Sequence, residues 1–194
     1  MPTPQPITRP QTDVAAELRS IALEMFAEHG YTGTSLQQIA DAAGYSKSSV
    51  LYHFRSKEAL FEEALAPSVA ELEEFLDSIV EKATSGDSRA QFTADFVDLL
   101  LDHRLAAHII INQGQTLSDI PTVDRARGLI DRIGESFMSG LPTTKQRIRL
   151  GVALAGAAYV MVASRPSATE IDDIDEVREA LIDVVGELIT PLSN

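Results

Sequence analysis

The chain has 194 residues, 23% charged and 44% hydrophobic, a soluble globular composition long enough to bury a core of its own. It contains no cysteine, which excludes disulfide frameworks, thiolate metal sites and cysteine nucleophiles. Sixteen Lys and Arg against 29 Asp and Glu leave a net charge of −13, and an evenly acidic surface would repel nucleic acid and anionic membrane.

The charge is uneven. Residues 1–61 hold five basic side chains against six acidic ones, and residues 62–194 hold eleven against 23. Between residues 34 and 57 the balance turns positive, with Lys47, Arg55 and Lys57 against Asp41 alone. A near-neutral head precedes an acidic body. The longest uncharged apolar stretch, Leu150 to Ala163, is 14 residues, short of the roughly 20 that a spanning helix needs. With no apolar run near Met1, no signal peptide is expected and a cytoplasmic location follows.

Pro2, Pro4, Pro6 and Pro10 predict an extended, flexible arm over residues 1–12. A first helix follows from Asp13, with Leu18, Ile21, Ala22, Met25 and Phe26 on one face, ended by Gly30. Thr34 and Gln37 fit a capping box for a short second helix through Leu36, Ile39, Ala40 and Ala43, stopped by Gly44. Ser46 caps a short third helix to about His53, and Ser56 caps a fourth from Lys57 to about Thr84. Pro67 lies inside that fourth helix, where it removes a backbone hydrogen bond and bends the axis.

Phe92 to Leu100 predicts a fifth helix and Leu105 to Asn112 a sixth, although Ile109-Ile110-Ile111 also suits a strand. Thr122 to Met138, Lys145 to Ala163, and Ile174 to Leu188 complete about nine helices. The fold class is all-α.

The stretch Leu36 to Val50 carries the main signal. Two short helices joined by a tight turn containing Gly form a helix-turn-helix. Gly44 takes a positive φ at little cost. Ala40 is small where the helices cross, while Ile39, Ala43 and Val50 point inward. Lys47, Ser48, Ser49, Tyr52 and His53 remain outward, able to meet base edges or phosphates. The helix starts at Thr34 and Ser56 offer backbone N–H groups to phosphate, and Lys57 strengthens the second. The DNA-contact set is therefore Thr34, Ser35, Ser46, Lys47, Ser48, Ser49, Tyr52, His53 and Lys57. Tyr45 packs in the turn.

Residues Ile21 to Leu60 resemble the DNA-binding domain of the TetR family of transcriptional repressors. Phe26, Gly30, Tyr31, Thr34, Ile39, Ala40, Ala43, Gly44, Ser46, Tyr52, His53, Phe54, Lys57 and Leu60 carry the likeness, over about 40 of 194 residues. Leu51 departs from the usual aromatic before Tyr52, which gives Tyr52 more of any phosphate contact, and Ser48 replaces a common glycine.

The resemblance implies an N-terminal helix-turn-helix domain over residues 13–56 and a helical effector-binding and dimerisation domain over 57–194. It implies a homodimeric four-helix bundle built from the last two helices, with Leu154, Ala155, Ala158, Val162, Val177, Leu181, Val184 and Leu188 at the interface. It also implies a pocket for an unidentified, largely apolar small-molecule effector. The pocket candidates are the aromatics Phe75, Phe92, Phe96, Phe137 and Tyr159, the polar His103, His108 and Asn112, and Met138 and Met161.

His103 and His108 lie five residues apart, off the i,i+4 spacing that pairs imidazoles on one helix face, so no metal is expected. No phosphate loop or nucleophile motif is present, so neither a catalytic residue nor a cofactor is expected. The expected function is a ligand-responsive repressor on a double-stranded, palindromic operator, with no membrane partner. The alternatives are a helical protein-interaction module without DNA binding, favoured by the acidic charge, and an all-α enzyme.

Overall fold

The computed structural model describes residues 11–85, 89–139, 141, 143–163 and 173–189. Of the arm expected over residues 1–12, residues 1–10, including Arg9, lie outside them, and Gln11 and Thr12 belong to the first helix. Among the described residues the elements are nine helices: α1 (Gln11–Gly33), α2 (Leu36–Ala43), α3 (Lys47–His53), α4 (Lys57–Ser85), α5 (Arg89–Asp102), α6 (Arg104–Gln113), α7 (Pro121–Ser139), α8 (Thr144–Ala163) and α9 (Ile174–Ile189). The isoleucine run 109–111 is helical: Ile109 and Ile110 are buried on the inner face of α6, and no strand exists among the described residues to pair with it.

The chain divides into two compact units, one up to Ala64 and one from Leu65. The helix starts in the sequence predict this division at residue 57. Leu60 and Phe61, in the first turns of α4, are fully buried in the first unit, and the Phe61 ring meets Phe26 edge-on at 5.0 Å. The first turns of α4 therefore complete the head's core, with Leu18, Ala22, Ile39, Ala40, Val50 and Phe54.

Gly30 breaks α1 as expected, with φ 76° and ψ 160°, a backbone region open only to glycine. One short turn then continues to Gly33. Gly44 has φ 71° at the end of α2, and its N–H reaches the Ala40 and Asp41 carbonyls. The expected capping box is displaced by one residue. Ser35, in extended backbone, is the N-cap of α2 and accepts from Gln38 N, while Gln38 Oε1 accepts from Ser35 N at 2.8 Å. Thr34 is only 1% exposed, and its hydroxyl is shared between the carbonyls of Gly30 at 2.8 Å and Met25 at 3.1 Å. The kink at Gly30 draws Thr34 inward against carbonyls that need a donor, and this leaves the cap to its neighbour.

In the second unit the core joins Val69, Leu76 and Ile79 of α4 with residues of α5 to α9. α9 packs on α5 and α8. Arg149 of α8 donates to the last carbonyls of α9, at Leu188 (2.9 Å) and Glu187 (2.8 Å). A cation there satisfies acceptors that a helix end leaves open. Arg178 holds Asp98 through two hydrogen bonds that tie α9 to α5, and this pairing raises the guanidinium's pKa further.

Candidate functional site

The head presents the outer face of α3. Lys47, Ser48, Leu51 and Tyr52 are exposed, Tyr52 at 75%, while Val50 is fully buried on the opposite side. Ser46 caps the helix, its Oγ accepting from Ser49 N at 3.1 Å, and shares a 2.8 Å hydrogen bond with Ser48 Oγ. Ser49 and His53 are half-buried, and His53 meets the Tyr52 ring edge-on at 5.2 Å. Ser56 caps α4, accepting from Ala59 N. Ser35, Ser46 and Ser56 are all exposed and each engages one orphan N–H of its helix, so the others of each first turn are left for solvent or a phosphate. Tyr45 packs in the turn and donates to Glu17 on α1 at 2.9 Å.

Two of the expected DNA contacts face inward. Thr34 is buried, as described above. Lys57 Nζ donates to the Tyr31 and Thr34 carbonyls at 2.8 and 3.0 Å and sits 4.2 Å from the centre of the Tyr31 ring. Two of its three donors are used on backbone. Burial, helped by the nearby Glu58 and Glu62 carboxylates, raises the pKa of the Tyr31 phenol. Lys57 thus ties the start of α4 to the connection between α1 and α2. A lysine at a helix start carries no mark in sequence that separates such a brace from a phosphate contact.

The second unit contains a cavity of about 560 Å³, within the range of small-molecule sites. Its walls come from α4 (Ser68, Leu72), α5 and its end (Phe96, Leu99, Leu100, His103), α6 (Ala106, Ala107, Ile110, Ile111), α7 (Ile130, Ile133, Gly134) and α8 (Leu150, Gly151, Leu154, Ala155, Ala158, Tyr159). Of the expected pocket residues, Phe96, His103 and Tyr159 line it. Phe75 and Met161 are in the packed core, and Phe92 stacks against Phe75 and Phe96. His108 is turned to the Val162 carbonyl, 3.0 Å from Nδ1, and Asn112 approaches the His108 ring. The side chains of Phe137 and Met138 lie outside the described residues. Periodicity marked the aliphatic wall of α6 and α8 as apolar but could not separate wall from core.

Leu154, Ala155 and Ala158, expected at a dimer interface, also line this cavity. Val162 is 3% exposed, and Leu154, Ala158, Val177, Leu181 and Leu188 pack on the intramolecular core. Val184 and Ala155 are exposed. The apolar surface that α8 and α9 leave open is carried by Ile148 (60%), Val152 (57%), Tyr159 (68%), Val160 (50%) and Val184 (54%). The expected interface thus falls on the right helices but, apart from Val184 and Ala155, on residues of their inner side.

Three packed helices with an exposed recognition helix, followed by an all-helical unit with an apolar cavity, define a helix-turn-helix regulator. The profile described as bacterial regulatory proteins, tetR family, matches residues 18–64. The HTH-type transcriptional repressor KstR2 of Rhodococcus jostii is 31% identical over 160 residues, covering 80% of this chain and 71% of that protein. This chain belongs to the TetR family. KstR2 of Mycolicibacterium smegmatis is 35% identical over 111 residues, and there the chain spans about half of its relative, 53%. The solved KstR2 of Mycobacterium tuberculosis has the same fold, with a TM-score of 0.65 at 19% identity over 89% of this chain and 93% of that one. The family is one of transcriptional regulators, not enzymes. No described helix is long and apolar enough to cross a membrane.

Proposed function

We propose that this protein is a transcriptional repressor that binds a palindromic operator as a homodimer and releases it when a small, largely apolar effector fills the cavity. The observation that carries the reading is the exposed face of α3, framed by the capped starts of α2 and α4. Lys47 and Tyr52 serve the phosphates and Ser48 and Ser49 the groove. One seven-residue helix reaches only a few base pairs, so a second copy must supply the rest, and the open apolar surface of α8 and α9 is where a copy would dock. The domain assignment follows, with DNA binding in the first unit and effector binding and dimerisation in the second.

The effector reading rests on the cavity's aliphatic walls. KstR2 of M. tuberculosis is a ketosteroid transcriptional regulator, which agrees with a hydrocarbon-rich effector. Ser68 and Leu72 of α4 form part of the wall, and Ser68 directly follows Pro67. A ligand in the cavity thus touches the helix whose first turns belong to the head.

Fluorescence anisotropy with labelled fragments from upstream of the gene, combined with light scattering, tests the proposal. Two subunits per site and half-sites roughly 34 Å apart, or a multiple, are expected. A protein that stays monomeric at micromolar concentration both free and on DNA overturns it.

A further inference from the structure

The cavity wall is aliphatic and aromatic except for three groups: the Ser68 hydroxyl, the Tyr159 phenol and the His103 imidazole. Among the described lining residues none is Lys or Arg. An anionic ligand group buried there would meet neither an ammonium nor a guanidinium, and an unpaired carboxylate away from water is strongly disfavoured. The wall therefore selects for an uncharged ligand.

His103 gives this ligand a direction. Its side chain is 17% exposed and forms a 2.7 Å hydrogen bond from Nε2 to Oε2 of Glu71, which is 55% exposed. A carboxylate accepts only, so the geometry puts a proton on Nε2, and in the tautomer this selects the lone pair is on Nδ1. His103 sits at the N-cap position of α6, yet its side chain makes no capping bond. Nδ1 is therefore the ring nitrogen left to a ligand, and it asks for a donor.

We propose that the His103–Glu71 pair selects the effector as an uncharged, mostly hydrocarbon molecule with a hydroxyl that donates to His103 Nδ1. Glu71 acts from outside the cavity by holding the tautomer, a positioning role, while His103 touches the ligand. This inference rests on the reading of the cavity as the effector site. It adds that a carboxylate of the same skeleton is rejected for lack of a cation, and that an ether is disfavoured because it brings a second acceptor against Nδ1.

The test uses the full chain and three probes on one dodecyl chain: 1-dodecanol, 1-methoxydodecane and dodecanoate. Binding is read by calorimetry and by thermal shift. The wild type should bind the alcohol about tenfold tighter than the ether, the effect of one hydrogen bond, and the carboxylate should be weakest. His103→Phe should erase the preference for alcohol over ether while still binding both. Glu71→Ala, a change at an exposed position that leaves the core intact, should reduce that preference by releasing the tautomer, whereas Glu71→Gln should retain most of it through the amide oxygen. Equal binding of alcohol and ether in the wild type, tightest binding of dodecanoate, or a preference unchanged in both His103→Phe and Glu71→Ala overturns the inference and leaves the cavity reading standing. If none of the three binds, the cavity reading itself falls, and this inference with it.

Discussion

Lys57 shows how far a residue type is from a residue role. A lysine at the start of a helix beside a recognition helix suggests a phosphate contact, and its removal would then flatten the log–log salt dependence by about 0.9 per head. The structure spends that ammonium on two backbone carbonyls and the Tyr31 ring. Lys57→Ala should therefore lower the head's stability by about 2 kcal/mol and weaken binding to all DNA sequences alike. The salt slope should stay at its wild-type value, and a fall of about 0.9 in a titration from low to high salt would return Lys57 to the phosphates. Gly44 allows a cleaner test. Nothing lies within 4 Å of a Cβ added there, so the cost of Gly44→Ala is conformational alone. With φ at 71°, an alanine should destabilise by about 1 kcal/mol, seen as a shift in the urea midpoint without a change in m. An unchanged midpoint would show that the turn tolerates another conformation.

At the scale of elements, the start of α2 separates two capping registers. Thr34 with Gln37 and Ser35 with Gln38 both satisfy the capping-box spacing, and only the kink at Gly30 decides between them. Because Ser35 makes the reciprocal bonds, Ser35→Ala should cost about 1 kcal/mol of stability. Gln37, whose amide instead donates to Asp41 at 2.7 Å on the exposed face, should cost no more than a few tenths on conversion to alanine. Equal losses in the two variants, measured by chemical denaturation, would contradict the cap assignment. α4 joins both units because its early turns bury Leu60 and Phe61 in one core and its later turns bury Phe75, Leu76 and Ile79 in another. A residue span chosen from helix starts alone cannot reveal that a single helix serves two cores.

For the whole molecule, two expectations follow from the proposed function. Val160 and Val184 are exposed valines on α8 and α9, at 50% and 54%. A charge on this surface should disrupt pairing without touching the intramolecular core, so Val160→Arg with Val184→Arg should run as a monomer in size-exclusion chromatography with light scattering. The double variant should lose at least tenfold in operator affinity while keeping its melting temperature within a few degrees. A dimer that survives both charges places the interface elsewhere. Pro67 is the second case. It stands within α4 next to the cavity wall and is itself exposed. As the hinge for release, Pro67→Ala should leave operator affinity near wild type and weaken the response to effector. A shift of a population from 1:99 to 99:1 needs about 5.5 kcal/mol of differential binding, which a stiffer helix would have to overcome. Unchanged repression together with unchanged release assigns Pro67 to a static role.

By itself the sequence determined the all-α class, the order of nine helices among the described residues, and the helix-turn-helix. Each of these depends on local rules: apolar residues at steps of three and four, serine at a helix start, and glycine where φ is positive. Local rules also identified Ser46 and Ser56 as caps and Val50 as inward. The tertiary structure decided what no local rule encodes. It chose Ser35 over Thr34, because the threonine hydroxyl is taken by the Gly30 and Met25 carbonyls at the kink. It turned Lys57 inward, because Tyr31 and Thr34 offer acceptors 26 and 23 residues away. It divided the apolar residues of α4 to α9 into core, cavity wall and open surface, placing Phe75 and Met161 in the first, Leu154 and Ala158 against the second, and Val184 on the third. That division depends on which helix faces which, and a periodic apolar stripe is the same stripe whether it meets a neighbour, a ligand or a second copy of the chain.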